Sequence, residues 1–145
     1  ILIKSNVDTV YKTVKTIEQY ASFMHFVKKI SIKEKNYDRM VSHWEIEIDG
    51  APILWVQETA FFDADRKMQF CMQNGDFKEY RGDISIENYG SYVRLTINAC
   101  FDWGIPCFEK IVGKVLERQA EKAIRGMLIA FKKEIERGST IVTGR

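Results

Sequence analysis

Met40-Val41-Ser42-His43-Trp44-Glu45-Ile46-Glu47-Ile48 decides the fold, because it reads with a period of two. Met40, Ser42, Trp44, Ile46 and Ile48 fall on one side, and Val41, His43, Glu45 and Glu47 on the other. That alternation predicts a strand with one face in a core. The same period continues in both directions. Before it, Ile30 and Ile32 alternate with Ser31 and Lys33. After it, Ile53 to Phe62 is apolar on both faces, which predicts a strand covered on both sides. Met68, Phe70 and Met72 follow, then Tyr80, Gly82, Ile84 and Ile86, and lastly Val93, Leu95, Ile97, Ala99 and Phe101. Turn signals separate the runs: Asn36-Tyr37-Asp38, Asp49-Gly50-Ala51-Pro52, Asp63-Ala64-Asp65, Asn74-Gly75-Asp76 and Asn88-Tyr89-Gly90. Six strands joined in order by short turns predict an antiparallel meander, with Ile1 to Lys4 a candidate seventh.

Helical spacing flanks this block. Ser5-Asn6-Val7-Asp8 fits a capping box with Ser5 at the N-cap, and Val7, Val10, Tyr11 and Val14 continue a short helix. Thr16-Ile17-Glu18-Gln19 repeats the signal and opens a second short helix through Tyr20, Phe23 and Met24. The last third reads as one long helix over about 106–137, with Pro106 near its start. Phe108, Val112, Val115, Gln119, Ala123, Met127 and Phe131 form its stripe, widened by Ile111, Leu116, Ile124 and Leu128. Gly138 is the expected C-cap. The mixed charges on this helix read as a solvated face.

The chain has 145 residues and 16.9 kDa, room for one domain over 1–145 with a real core. A net charge of +2 is too small to drive binding to nucleic acid or an anionic membrane by field alone. No run reaches the roughly 18 apolar residues of a membrane-spanning helix. The start lacks the apolar core of a signal peptide, and its first residue is not Met, which fits processing or a position inside a longer protein. Together these predict a soluble cytoplasmic domain. Cys71, Cys100 and Cys107 match no zinc spacing and read as buried reduced thiols. With His25 and His43 the only histidines, and no nucleotide, metalloprotease or nucleophile-elbow motif, neither metal nor cofactor is expected.

The order of elements, with three local motifs, resembles the START-like (SRPBCC, helix-grip) superfamily, in its polyketide cyclase/dehydrase and coenzyme Q-binding branch. Glu18-Gln19-Tyr20-Ala21-Ser22-Phe23-Met24 is similar to that branch's Tyr-Pro-x-Phe turn, with Ala21 in the Pro position. Gly75-Asp76-Phe77 with Gly82 looks like its Gly-Asp-Phe…Gly pattern, and Phe101-Asp102-Trp103-Gly104-Ile105-Pro106 like its strand-to-helix junction. The resemblance spans about Ser5 to Glu136. It implies an α+β helix-grip fold: a curved sheet of six to seven antiparallel strands around the long helix, with two short helices at one end. It also implies a ligand cavity between sheet and helix.

Aromatase/cyclases of the superfamily carry a Trp-x-Ser-x-Arg pattern on a central strand. Here the run is Trp55-Val56-Gln57-Glu58-Thr59, so Gln57 replaces the Ser and Thr59 the Arg that would polarise a polyketide carbonyl. Strand parity turns Ser42, Trp44, Trp55, Gln57 and Thr59 toward the cavity. It does the same for Phe70, Tyr80, Ile97 and Phe101, and the helix adds Gln119 and Met127. Ser42, Gln57, Thr59, Tyr80 and Gln119 are either paired among themselves or reading a ligand's polar atoms. Trp44 and Trp55 could clamp a flat ring. No catalytic residue is assigned: Tyr80 is a candidate donor, His25 a candidate base at the mouth, and parity turns Arg81 outward.

Three functions are consistent with the resemblance. The first is cyclisation or dehydration of a poly-β-keto chain delivered by an acyl carrier protein. The second is non-catalytic carriage of a lipid or quinone. The third is interaction with a macromolecule, as in ribosome-associated members. Thr59 in the Arg position favours carriage over cyclisation, and near-neutral charge argues against a macromolecular partner. The expectation is a hydrophobic small-molecule binder.

Overall fold

The computed structural model describes residues 1–104 and 110–143, with side chains for 1–104 and 117–138. The expected helix start at Pro106, Cys107 and the side chains of Phe108, Ile111, Val112, Val115 and Leu116 lie outside the described residues.

Seven strands form one antiparallel sheet: β1 (Leu2–Ile3), β2 (Val27–Lys35), β3 (Arg39–Ile48), β4 (Ala51–Phe62), β5 (Lys67–Gly75), β6 (Glu79–Tyr89) and β7 (Tyr92–Asp102). Their spatial order is β1-β7-β6-β5-β4-β3-β2, so the meander runs in sequence and β1 closes the far edge beside β7. Among the described residues three α-helices accompany the sheet: α1 (Val7–Lys15), α2 (Tyr20–Phe23) and the long α3 (Lys110–Thr143). This is the helix-grip α+β arrangement. Among the described residues no helix is long and apolar enough to cross a membrane.

The turns follow their sequence. Asp49 and Gly50, at φ 50° and 82°, form the two-residue link between β3 and β4, the backbone a tight hairpin requires. Register pairs Trp44 with Trp55 and Ser42 with Gln57 across this hairpin. Every second residue of β3 and β4 therefore points to the same covered face.

Several local expectations are corrected. The N-cap of α1 is Asn6, whose Oδ1 accepts from the Thr9 amide at 2.9 Å, not Ser5. An amide oxygen at Asn6 reaches the orphan donor three residues on, and Asp8 makes no capping contact there. Thr16 caps nothing forward; its hydroxyl donates back to Lys12 O, and Ile17–Gln19 is a single tight 3-10 turn before α2. β4 is buried on one face only, with Leu54 47% and Phe62 41% exposed. Its apolar outer residues face solvent because, among the described residues, no layer covers that side of the sheet. The helix passes Gly138 and ends at Thr143, so Gly138 is an interior helical position rather than a cap. Cys71 and Cys100 are exposed on the outer face, not buried.

The short helices are tied down by polar contacts. Asp63, in the β4–β5 turn, accepts from the Tyr11 hydroxyl at 2.5 Å and from Lys15 Nζ at 2.9 Å. These donors hold the Asp63 carboxyl below the usual carboxylate range, the tyrosine hydrogen bond being the larger cause. Tyr20 is fully buried and donates its hydroxyl to Val14 O, locking the kink between α1 and α2. At the other edge, Lys132 Nζ donates to Leu2 O at 2.9 Å and Glu136 accepts from the Lys4 amide at 2.9 Å, which fastens α3 to β1.

Candidate functional site

The polar residues expected on the covered face of β3 and β4 are there, and they satisfy one another. Trp44 Nε1 donates to Ser42 Oγ at 2.9 Å, Trp55 Nε1 to Gln57 Oε1 at 3.1 Å, and Gln57 Nε2 to Thr59 Oγ1 at 3.0 Å. Ser42 and Thr59 are fully buried and Gln57 nearly so. Each bond joins residues i and i+2 of one strand, which the pleat places side by side. The ladder therefore solves the burial problem inside the protein, as a core network does. We expect Thr59→Val to lower the stability of the ligand-free protein by about 1–2 kcal/mol, read from urea unfolding, because it strands the Gln57 amide. A change below about 0.3 kcal/mol would show that the ladder carries no such load.

The aromatic residues fill much of the space that remains. Trp44 and Trp55 stack on each other with centroids 5.3 Å apart and planes 16° apart, leaving no room for a third ring between them. The flat-ring clamp expected of this pair is thus replaced by a mutual stack. Around it, Phe77 and Tyr80 each approach Trp55 edge-on at 5.5 Å, and Phe77 reaches Trp103 at 4.6 Å. Tyr80 also stacks on Phe101 at 4.8 Å.

Two small voids lie in this packing. The larger, about 30 Å³, is bordered by Trp44, Trp55, Tyr80, Phe101 and Met127. The smaller, about 20 Å³, is bordered by Trp44, Gln57, Phe70, Tyr80, Ile97 and Met127. Trp44, Tyr80 and Met127 line both and so form the partition between them. Each void holds on the order of one water, far below the roughly 300–1,000 Å³ of a small-molecule pocket. Of the sequence-predicted residues, Ser42 and Thr59 line neither void, and Gln119 faces the outer groove described below.

Three polar atoms stand out because they lack partners. Among the described residues, Trp103 Nε1 and Gln119 Oε1 are buried without a hydrogen bond. The Tyr80 hydroxyl, on the void partition, has none among the described residues, and burial pushes its pKa well above that of an ordinary tyrosine. It stays neutral at physiological pH and can act as a donor.

The Gly-Asp-Phe segment has a mechanical explanation. A Cβ at Gly75, which sits at φ 151°, would stand 2.4 Å from Trp55 Cβ, so only glycine lets β5 approach β4 there. Asp76 then clamps Leu54, accepting its amide at Oδ2 (2.8 Å) and donating its own amide to Leu54 O (2.9 Å). Phe77 is thereby inserted into the aromatic cluster.

A larger space lies outside this cluster, beside the helix. A groove of about 710 Å³ runs between α3 and the adjoining ends of β2 and β3. Phe26, Ile48 and Ala123 border both the groove and the larger inner void, so these three side chains are the wall between them. His25 borders the groove rather than the inner voids, and Arg81 is exposed on the opposite face of the sheet. Sequence reasoning missed Phe26 and Trp103, since neither sits in a periodic run. For Trp103 the available signal was its place in the strand-to-helix junction, Phe101 to Pro106.

The chain matches the family described as polyketide cyclase / dehydrase and lipid transport over residues 3–128. No curated protein is detectably similar in sequence. Among solved structures, TTHA0849 from Thermus thermophilus superposes with a TM-score of 0.90 at 19% identity, over 96% of this chain and 95% of that one. The Zhui aromatase/cyclase from a Streptomyces species gives 0.87 at 15% identity, over 94% and 90%. A STAR-related lipid transfer protein from Xanthomonas axonopodis gives 0.72 at 10% identity, over 94% and 82%. At these identities the likeness is one of fold.

Proposed function

The chain belongs to the polyketide cyclase / dehydrase and lipid transport family, and on that premise we propose that it binds a hydrophobic small molecule (a polyketide, quinone or lipid) against α3 without catalysing a reaction on it. The observation that carries this reading is the shared wall: a groove of pocket size whose floor, Phe26, Ile48 and Ala123, is also the lid of the inner void. An apolar group pressing on that floor moves into aromatic surroundings rather than into water. The rotation of a few side chains then joins the groove to the voids.

Carriage is favoured over cyclisation by the state of the central strand. Thr59 stands where the resembling enzymes have their Arg, and its hydroxyl is already taken up by Gln57. Cyclisation needs both a base and a donor. Tyr80 meets the second requirement, and among the described residues no group in the inner cluster meets the first. An acyl carrier protein as partner belongs to the cyclase reading and is not needed here.

The test is quenching of tryptophan emission by decylubiquinone, since Trp44, Trp55 and Trp103 all border the proposed path. Saturable quenching is expected, and Ala123→Phe, which plugs the shared wall, should weaken it about tenfold or more. If the wild-type protein shows no saturable quenching, or the plugged variant quenches equally well, the reading is wrong.

A further inference from the structure

The walls of the outer groove differ sharply in character. Its floor is apolar, and Ile129 continues that floor with 47% exposure. Its helix side carries Arg118, Lys122 and Arg125, at spacings of four and three, which is one face of α3. All three are exposed, and none makes a hydrogen bond, ion pair or ring contact among the described residues. Elsewhere the cations are commonly paired, as Lys15 is with Asp63, Arg39 with Glu58 and Arg66 with Asp8. On the groove's rim Lys28 is engaged by Glu47 at 3.6 Å, which leaves Asp49 and Glu121 as the acids facing three unengaged cations.

From this we propose that the groove selects a single-chain amphiphile with a carboxylate end: the carboxylate seats on Arg118, Lys122 and Arg125, and the alkyl chain lies on Phe26, Ile48 and Ala123. The inference rests on the small-molecule reading above and names the ligand class. Two arginines and a lysine in one row offer the planar, charge-assisted donors that a carboxylate accepts from in pairs. The apolar floor lies directly beside that row, so head and tail are satisfied at once. A neutral chain gains only the floor. A cationic amphiphile is repelled by the row.

The experiment is calorimetric titration of decanoate, 1-decanol and decyltrimethylammonium into the whole chain at low and high salt. Decanoate is expected to bind about tenfold more tightly than decanol at low salt, with the gap closing as salt rises. The double charge reversal Arg118→Glu with Arg125→Glu should remove that gap and leave decanol binding as it was. Lys29→Glu with Lys33→Glu, an equal change of net charge on the outer face of the sheet, should leave the gap intact. Equal affinity for decanoate and decanol in the wild-type protein overturns the carboxylate assignment while small-molecule binding stands. Loss of the gap in the outer-face reversal overturns that assignment too. If neither decanoate nor decanol binds but decylubiquinone quenches, the amphiphile class is overturned alone. If decanoate, decanol and decylubiquinone all fail, the binding reading falls with it.

Discussion

Replacing Phe131 by alanine is expected to lower the unfolding free energy by about 3–5 kcal/mol. Phe131 is fully buried on α3 and is the point where the helix meets the helical turn at the end of the sheet. Its ring lies 5.1 Å from Tyr20, edge-on at 82°, and 5.9 Å from Phe23. Tyr20 in turn stands edge-on to Trp44 at 5.7 Å. Truncation opens a cavity among rings that are themselves constrained: the Tyr20 hydroxyl is held by Val14 O, and the Trp44 indole by Ser42. The site cannot collapse cheaply, which places the cost at the upper end for such changes. Urea unfolding with both far-ultraviolet and tryptophan signals measures it. A loss below about 1 kcal/mol would mean that α3 is held chiefly by its contacts with β1, not by this cluster.

Gly82→Ala is the second large effect, with an expected loss of about 3 kcal/mol or more. Gly82 lies in β6 between two paired neighbours, opposite Phe70 of β5 and Ala99 of β7. A Cβ there would sit 2.0 Å from Asn98 O, 2.8 Å from Phe70 Cζ and 3.0 Å from Ala99 Cα. Two of the three obstacles are backbone of the adjoining strand, so relief requires the β6–β7 ladder to part. Gly138→Ala is the informative contrast. It adds a methyl into open space within a helix, where alanine is favoured by up to about 1 kcal/mol. Equal melting temperatures for the two variants would refute the steric account of Gly82.

The meander was readable because its core residues alternate. From Met40 to Ile48 and from Ile53 to Phe61, every side chain that parity turns inward is buried or half-buried, although Val41 on the outward side is buried as well. What parity cannot register is whether a second layer covers the other face, which is why Leu54 and Phe62 look core-like in sequence and are exposed in the fold. The cap of α1 depended on which of two adjacent polar residues reaches the Thr9 amide, a matter of backbone direction rather than residue type. Around the site, the types on the covered face were legible but their partners were not. The Ser42, Gln57 and Thr59 ladder closes through i, i+2 contacts whose rotamers no pattern reveals. The groove was least visible. It joins Phe26 and Ile48 to residues far along the chain, and Arg118, Lys122 and Arg125 read in isolation as an ordinary solvated face.

The placement of β1 has a consequence for how the molecule is made. Leu2 pairs with Arg94 and Ile3 with Val93, whereas β2 through β6 each pair with the strand that follows. During synthesis every hairpin of the meander can zip as soon as its second strand leaves the ribosome. The opening segment must instead wait for about ninety further residues before its partner exists, a loop closure with a high entropic cost. Since α3 is fastened to that same segment through Lys132 and Glu136, β1 and the long helix that follows the meander are secured in one late step. Pulse-labelled amide exchange should therefore show β3, β4 and β5 protected early, with β1 and the end of α3 gaining protection together afterwards.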